Sequence, residues 1–239
     1  MALVVALDGP AGAGKSSVAR MVAVQAGLTL VDTGAIYRTV AWLAKQRSVS
    51  FDDGVSLATI AETLPVRFSL EGVSNRVFLK FNDDEEQEVT QDIRAADISL
   101  SASAVARHAE VRVALMELQR TLGRTDQGAV LEGRDIGTVV FPDADVKIYL
   151  TATAEERARR RALELADRGV AEPFDKVLQE VRTRDHQDME RDIAPLKRAD
   201  DAVLVDCTDL TFGEVVDRIV GEIEMTRGTS KAAEGRVAS

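Results

Sequence analysis

Residues 9 to 16, Gly-Pro-Ala-Gly-Ala-Gly-Lys-Ser, place three glycines, a lysine and a hydroxyl in eight positions. They follow the apolar run Leu3–Leu7 and precede a helical pattern over Ser16–Ala26. A strand, a glycine loop and a helix in that order satisfy the full G-x-x-x-x-G-K-[ST] spacing in the context it requires. The glycines leave successive N–H groups bare, so the loop can curl around a polyphosphate. The helix behind it adds unpaired donors and the positive end of its dipole. In this reading the backbone of Gly9, Pro10, Ala11, Gly12, Ala13 and Gly14 cradles the nucleotide and Lys15 reaches its β- and γ-phosphates. The hydroxyl of Ser16 then meets Mg²⁺. The loop predicts a site for ATP or GTP without specifying the reaction, because switches, motors and kinases all use it.

The rest of the chain sets the scaffold. Leu28–Val31, Ala129–Leu131, Val146–Leu150 and Ala202–Val205 are continuous apolar runs, as in parallel strands buried on both faces. Helical patterns lie between them. Ala109–Leu122 puts Val111, Leu115, Leu118 and Leu122 on one face, and Thr153-x-x-Glu156 and Thr211-x-x-Glu214 read as capping boxes. Alternating strands and helices indicate a doubly wound α/β sheet. One segment departs from the pattern. Val66, Phe68 and Leu70 alternate, as do Val77, Leu79 and Phe81, with a Gly/Ser/Asn cluster between, which predicts an inserted antiparallel hairpin. The acidic run Asp83–Glu86 reads as a solvated loop. Within 156–169, Arg157, Arg159, Arg160 and Arg161 fall on one helix with Arg168 beyond it, and 226–239 carry no apolar period and read as a mobile tail.

Composition excludes several functions. With 239 residues, 45% of them hydrophobic, the chain can bury one sizeable core, and a net charge of −10 argues against a nucleic-acid polymer as partner. Cys207 is the only cysteine, which rules out an intrachain disulfide and fits a reducing compartment. The N-terminus has no basic leader, and no apolar stretch approaches the roughly 20 residues of a membrane span. A cytoplasmic protein without a membrane partner is expected.

Two more clusters follow strand ends, where open α/β sheets gather ligands. In "DTGAIYR" (32–38), Thr33 is placed to cap the next helix, and Tyr37 and Arg38 suit a nucleoside monophosphate. In "EGRDIGTVVFPDA" (132–144), Arg134 offers a fork to phosphate oxygens. Asp135 can accept from the exocyclic amine of cytosine, where uracil would present a carbonyl. The helix-borne arginines suit a flap that closes over a phosphoryl group and excludes water.

Together with "RTRDHQDMERDIAPLKRADDAVLVD", these motifs resemble the bacterial cytidylate kinase family over about residues 3 to 225. The resemblance implies a three-layer P-loop kinase fold around a central five-stranded parallel sheet. It adds a monophosphate-binding insert at about 33–105 with a small antiparallel sheet, and a lid at about 155–170. It implies a monomer that transfers the γ-phosphoryl of ATP, with Mg²⁺, to CMP or dCMP. Lys15, Arg134 and Arg191 would be catalytic. Gly9 to Ser17, with Arg157 and Arg161, would hold ATP. Thr33, Tyr37, Arg38, Ser103, Arg112, Arg134, Asp135, Arg184, Asp188 and Arg191 would hold the monophosphate. Relatives often carry Gly-Thr after the lysine, which leaves either Ser16 or Ser17 to meet the metal. A GTPase switch needs N-K-x-D, and neither Asn75 nor Asn82 precedes lysine. A non-catalytic ATP-binding scaffold would have no use for Lys15, Arg134 and the arginine-rich helix. Uridylate/cytidylate and adenylate kinases are the nearest alternatives.

Overall fold

The computed structural model describes residues 2–72, 74–81, 85–167 and 169–237, without the side chains of 96 and 230–237. Five strands form the central sheet: β1 (Val4–Asp8), β2 (Thr29–Asp32), β6 (Ala129–Gly133), β7 (Val146–Thr151) and β8 (Val203–Asp206). Their order is β2-β6-β1-β7-β8, and every pairing is parallel. β1 therefore lies at the centre. Its side chains are buried on both faces, which explains why it reads as one unbroken apolar run. Helix α1 (Lys15–Ala26) packs beside α8 (Phe212–Val237) through Val18, Val22, Val215 and Ile219 on one side of the sheet.

The insert builds a second core. Helices α2 (Thr33–Gln46), α3 (Gly54–Glu62), α4 (Ala96–Val105) and α5 (Ala109–Gly123) enclose Ile36, Leu57, Ile98 and Leu115. Val77 and Leu79 join them from the small sheet of β3 (Val66–Glu71), β4 (Ser74–Lys80) and β5 (Glu86–Glu88). The hairpin pairs Val66 with Leu79 and Phe68 with Val77, and Val66, Val77 and Leu79 are buried as the alternation predicts, whereas Phe81 lies past the end of β4 and is exposed. The acidic run behaves differently from a solvated loop at its end. Glu86 opens β5 and accepts two hydrogen bonds from Arg67, at 2.8 and 2.7 Å, while residues 82–84 lie outside the described residues. No apolar residue marks β5 in the sequence, because its three side chains are exposed.

Helices α6 (Ala154–Asp167) and α7 (Phe174–Glu190) form an arm closed by Ala158, Val177 and Val181. Arg168 lies outside the described residues. The two capping boxes differ. Thr211 and Glu214 exchange N–H donors in both directions. Thr153 accepts from Glu156 N at 3.3 Å, but the Glu156 carboxylate turns instead to Arg159 and Arg160. Helix α8 continues through 226–237, the stretch without an apolar period. Arg227 there donates to Ala26 O at 2.8 Å, where the C-terminus of α1 favours a cation.

Backbone packing at Gly9 governs how the glycine loop leaves β1. Gly9 has φ +151°, and a Cβ there would lie 1.9 Å from Leu150 O. Gly221, inside α8, has no atom within 4 Å of that position. Gly9→Ala should therefore lower unfolding stability by about 2 kcal/mol or more. Gly221→Ala should raise it by up to about 1 kcal/mol. Denaturant unfolding midpoints of the two variants check both signs.

Candidate active site

A cavity of about 1760 Å³ opens at the carboxyl ends of β1, β2 and β6 and extends between the arm and the insert. Three loops reach it because three parallel strands end there. The first is the glycine loop. Gly12 and Gly14 adopt φ +76° and +90°, conformations that L side chains rarely take. Gly14 precedes the first turn of α1, and no side chain caps that helix, so its N-terminal donors stay available. Lys15 is buried and donates to Pro10 O at 2.7 Å. Burial, and then the neighbouring Arg134, hold its ammonium well below the ordinary lysine range. Ser16 donates to Glu132 Oε2 at 2.7 Å.

The second loop starts α2. Asp32, not Thr33, caps this helix: its Oδ1 accepts from Ala35 N at 2.8 Å. The carboxylate sits one residue earlier and already takes the N–H of the third helical residue, which leaves Thr33 as a helical residue. The Thr33 hydroxyl donates across to Glu132 O at 2.7 Å. Arg38 returns along α2 to Asp32 Oδ2 at 2.8 Å, and Tyr37 is buried with the Arg112 guanidinium 5.6 Å from its ring centre. Burial pushes the Tyr37 phenol up.

The third loop follows β6. Asp135 is buried between Arg112, an ion-pair partner, and Arg191 Nη2 at 3.4 Å. Arg134 donates to Asp188 Oδ2 at 2.8 Å. Burial would raise the Asp188 carboxyl, but Arg134, Arg184 and Arg191 hold it below the usual carboxylate range. Arg184 has its Nε buried without a partner, and burial together with Arg134 lowers it to about 10. Ser103, on α4, lines the same cavity.

The arm's arginines separate by role. Arg157 lies beneath the glycine loop. It donates to Ala152 O at 2.9 Å, to Ala11 O at 3.1 Å, and to both oxygens of Asp185 at 2.8 and 2.7 Å. It ties loop, α6 and α7 together. Arg160 donates to Cys207 O at 2.7 Å and approaches Ala13 O at 3.5 Å, so it sits over the loop; spacing alone had not distinguished it. Arg161 pairs with Glu164 at 2.8 Å on the cavity wall, and Arg159 is exposed beside Glu156. Arg20, Arg94 and Asn75 also line the cavity; the sequence singled out neither arginine and offered Asn75 only as failing the N-K-x-D pattern. Arg20 lies on α1, and the other two come from the insert. In the sequence Glu132 is the first residue of the cluster after the third strand, with no role of its own.

A glycine loop at a helix N-terminus, facing arginines across the carboxyl ends of a parallel sheet, defines a P-loop kinase acting on a small phosphorylated acceptor. The comparisons agree. The family model described as cytidylate kinase matches residues 5–225, and the chain belongs to that family. It is 45% identical over 222 residues to a cytidylate kinase of Exiguobacterium sp. (strain ATCC BAA-1283 / AT1b), covering 93% of this chain and 96% of that one. A cytidylate kinase of Geobacter sp. (strain M21) is 46% identical over 215 residues, with 90% of each chain covered. That of Geobacter sulfurreducens (strain ATCC 51573 / DSM 12127 / PCA) is 46% identical over 217 residues, with 91% of each covered. Among the described residues, no helix is long and apolar enough to cross a membrane.

Two stability effects follow. Arg157→Ala strands the partly buried Asp185 carboxylate and should cost about 2–3 kcal/mol in denaturant unfolding. Glu132, raised to about 7 by burial and then by Asp32, binds a proton more readily folded than unfolded. Its ionisation therefore costs nothing below its unfolded value of 4.5. The cost grows as pH rises and is complete above about 7. Glu132→Gln removes that cost, so the Tm of the variant relative to the parent should climb between about pH 5 and pH 8. A difference independent of pH would show that Glu132 does not titrate there.

Proposed function

We propose that this kinase transfers the γ-phosphoryl of ATP to CMP or dCMP, giving CDP or dCDP and ADP. The observation that carries the reading is a buried aspartate, Asp135, gripped by Arg112 and Arg191 in the cavity that the glycine loop enters. Its oxygens can only accept, and cytosine offers an amine where uracil offers a carbonyl. Arg184, with Nε unpartnered, is a donor ready for an anion or a ribose hydroxyl.

The acceptor is a phosphate monoester, whose second pKa of about 6 leaves it anionic near neutral pH. No strong general base is needed to activate it. The difficulty is mutual repulsion of two anions, and Lys15 with Arg38, Arg134 and Arg191 lowers it while aligning the groups. Arg160 covers the loop from the arm and supports its role as part of a lid over 155–170, with the insert at 33–105 holding the acceptor. Mg²⁺ fits the donor set: the Ser16 hydroxyl and the Glu132 carboxylate are both hard oxygen ligands and already face one another. This favours Ser16 over Ser17 as the metal's hydroxyl. When bound, the metal neutralises charge on the phosphate oxygens. The single domain over 1–225 would act as a monomer in the cytoplasm, a compartment that suits the unpaired Cys207.

ADP release measured with CMP, dCMP, UMP and AMP tests the reading; turnover of UMP or AMP equal to that of CMP would overturn it. Lys15→Ala should abolish transfer in a folded protein. Asp135→Ala should lose far more activity with CMP than with UMP, and equal losses would remove Asp135 as the base reader.

A further inference from the structure

The turn that carries Asp135 is fastened from outside itself. Residues Ile136–Val140 form one π-helical turn, and within it Asp135 O accepts from Val139 N at 2.9 Å and Val140 N at 3.2 Å. The two N–H groups that lead into the turn go elsewhere. Ile136 N donates to Asp8 Oδ1 at 2.8 Å, and Gly137 N donates to Asp8 Oδ2 at 2.7 Å. Asp8 is the last residue of β1, directly before the glycine loop. It is 5% exposed and forms no ion pair among the described residues. Gly137 lies so close that a Cβ there would meet Asp8 Oδ2 at 3.4 Å.

A buried carboxylate without a counter-ion in contact is costly. Burial raises Asp8 to about 6 in spite of its two N–H donors, which marks that cost. Ordinary turn chemistry could satisfy two N–H groups with less. The carboxylate does something a neutral acceptor could not do as firmly: it holds both amides at once, in one plane, with charge-assisted bonds. Asp135 thus has its carbonyl fixed inside the turn and its following peptide fixed to β1.

We propose that Asp8 is a positioning residue for Asp135 and Arg134, anchoring the base-reading turn after β6 to the root of the ATP loop. The proposal rests on Asp135 as the reader of cytosine. It makes the geometry of acceptor recognition depend on the strand that also presents the donor nucleotide.

The test is steady-state kinetics of Asp8→Asn and Asp8→Ala with CMP and UMP. The Asn variant keeps one acceptor and the Ala variant none. KM for CMP should rise about tenfold in Asp8→Asn and further in Asp8→Ala, and the CMP-over-UMP ratio of kcat/KM should fall by a similar factor. KM for ATP should change by less than about threefold, since the nucleotide is held by the loop's own amides. A merely structural role would lower Tm and leave KM for CMP and the base preference of the folded enzyme at parental values; that result overturns the proposal. If neither variant folds, amide hydrogen exchange of the unaltered enzyme decides. Ile136 and Gly137 are expected to exchange as slowly as the amides of β1, and exchange as fast as in exposed loops refutes the anchor. A parent enzyme that does not use CMP would sink the functional reading itself, a result distinct from Asp8 variants with parental selectivity.

Discussion

Repulsion among buried cations is the constraint on which this site is built. The chain as a whole is acidic, yet Lys15, Arg134, Arg184 and Arg191 share one cavity, and Lys15, Arg184 and Arg191 are desolvated there. Arg134 lowers both Lys15 and Arg184 by its charge. Uncompensated, such a cluster would not hold together in a low-dielectric setting. Asp32, Glu132, Asp135 and Asp188 offset it at fixed points, and each acid also orients an arginine or a hydroxyl. Under the proposed function, nucleotide phosphates would supply the remaining negative charge.

The parallel sheet makes the cluster possible. With β1 between β6 and β7, and β2 beyond β6, three loops open at one edge within reach of a single ligand pair. Cross-strand neighbours become site neighbours: Asp32 pairs in register with Glu132, and Asp8 with Gly133. The arm is attached to the same edge through Arg157, which bonds the loop at Ala11 and α7 at Asp185. Arg184 and Asp188, the α7 residues that line the cavity, are therefore tied mechanically to the glycine loop.

Much of this was legible in the linear chain. Continuous apolar runs announced the five parallel strands, because strands buried on both faces need no polar alternation. The hairpin's alternation announced the small sheet for the opposite reason. The glycine loop, Tyr37–Arg38 and Arg134–Asp135 stood out because residues of special chemistry fell at strand ends. Strand β5 was illegible, since its Glu-Gln-Glu side chains are all exposed and its stability comes from the ladder with β4 and the Arg67 pair. The extent of α8 was also illegible, because a helix bonded along its own backbone requires no apolar period.

By itself the sequence determined that a polyphosphate would be wrapped by main-chain amides, because that depends on local backbone freedom and on a motif contained in eight consecutive residues. It also determined the layered α/β class, through periodicity that every segment carries alone. Only the tertiary structure decided which helix cap belongs to Asp32 rather than Thr33. It alone sorted Arg157, a buried tie, from Arg160 over the loop, and made Asp8 and Glu132 members of the site. Those assignments join residues that the chain separates by up to 147 positions. Hydrogen bonds and burial over such distances exist only once the sheet's order has brought the strands together.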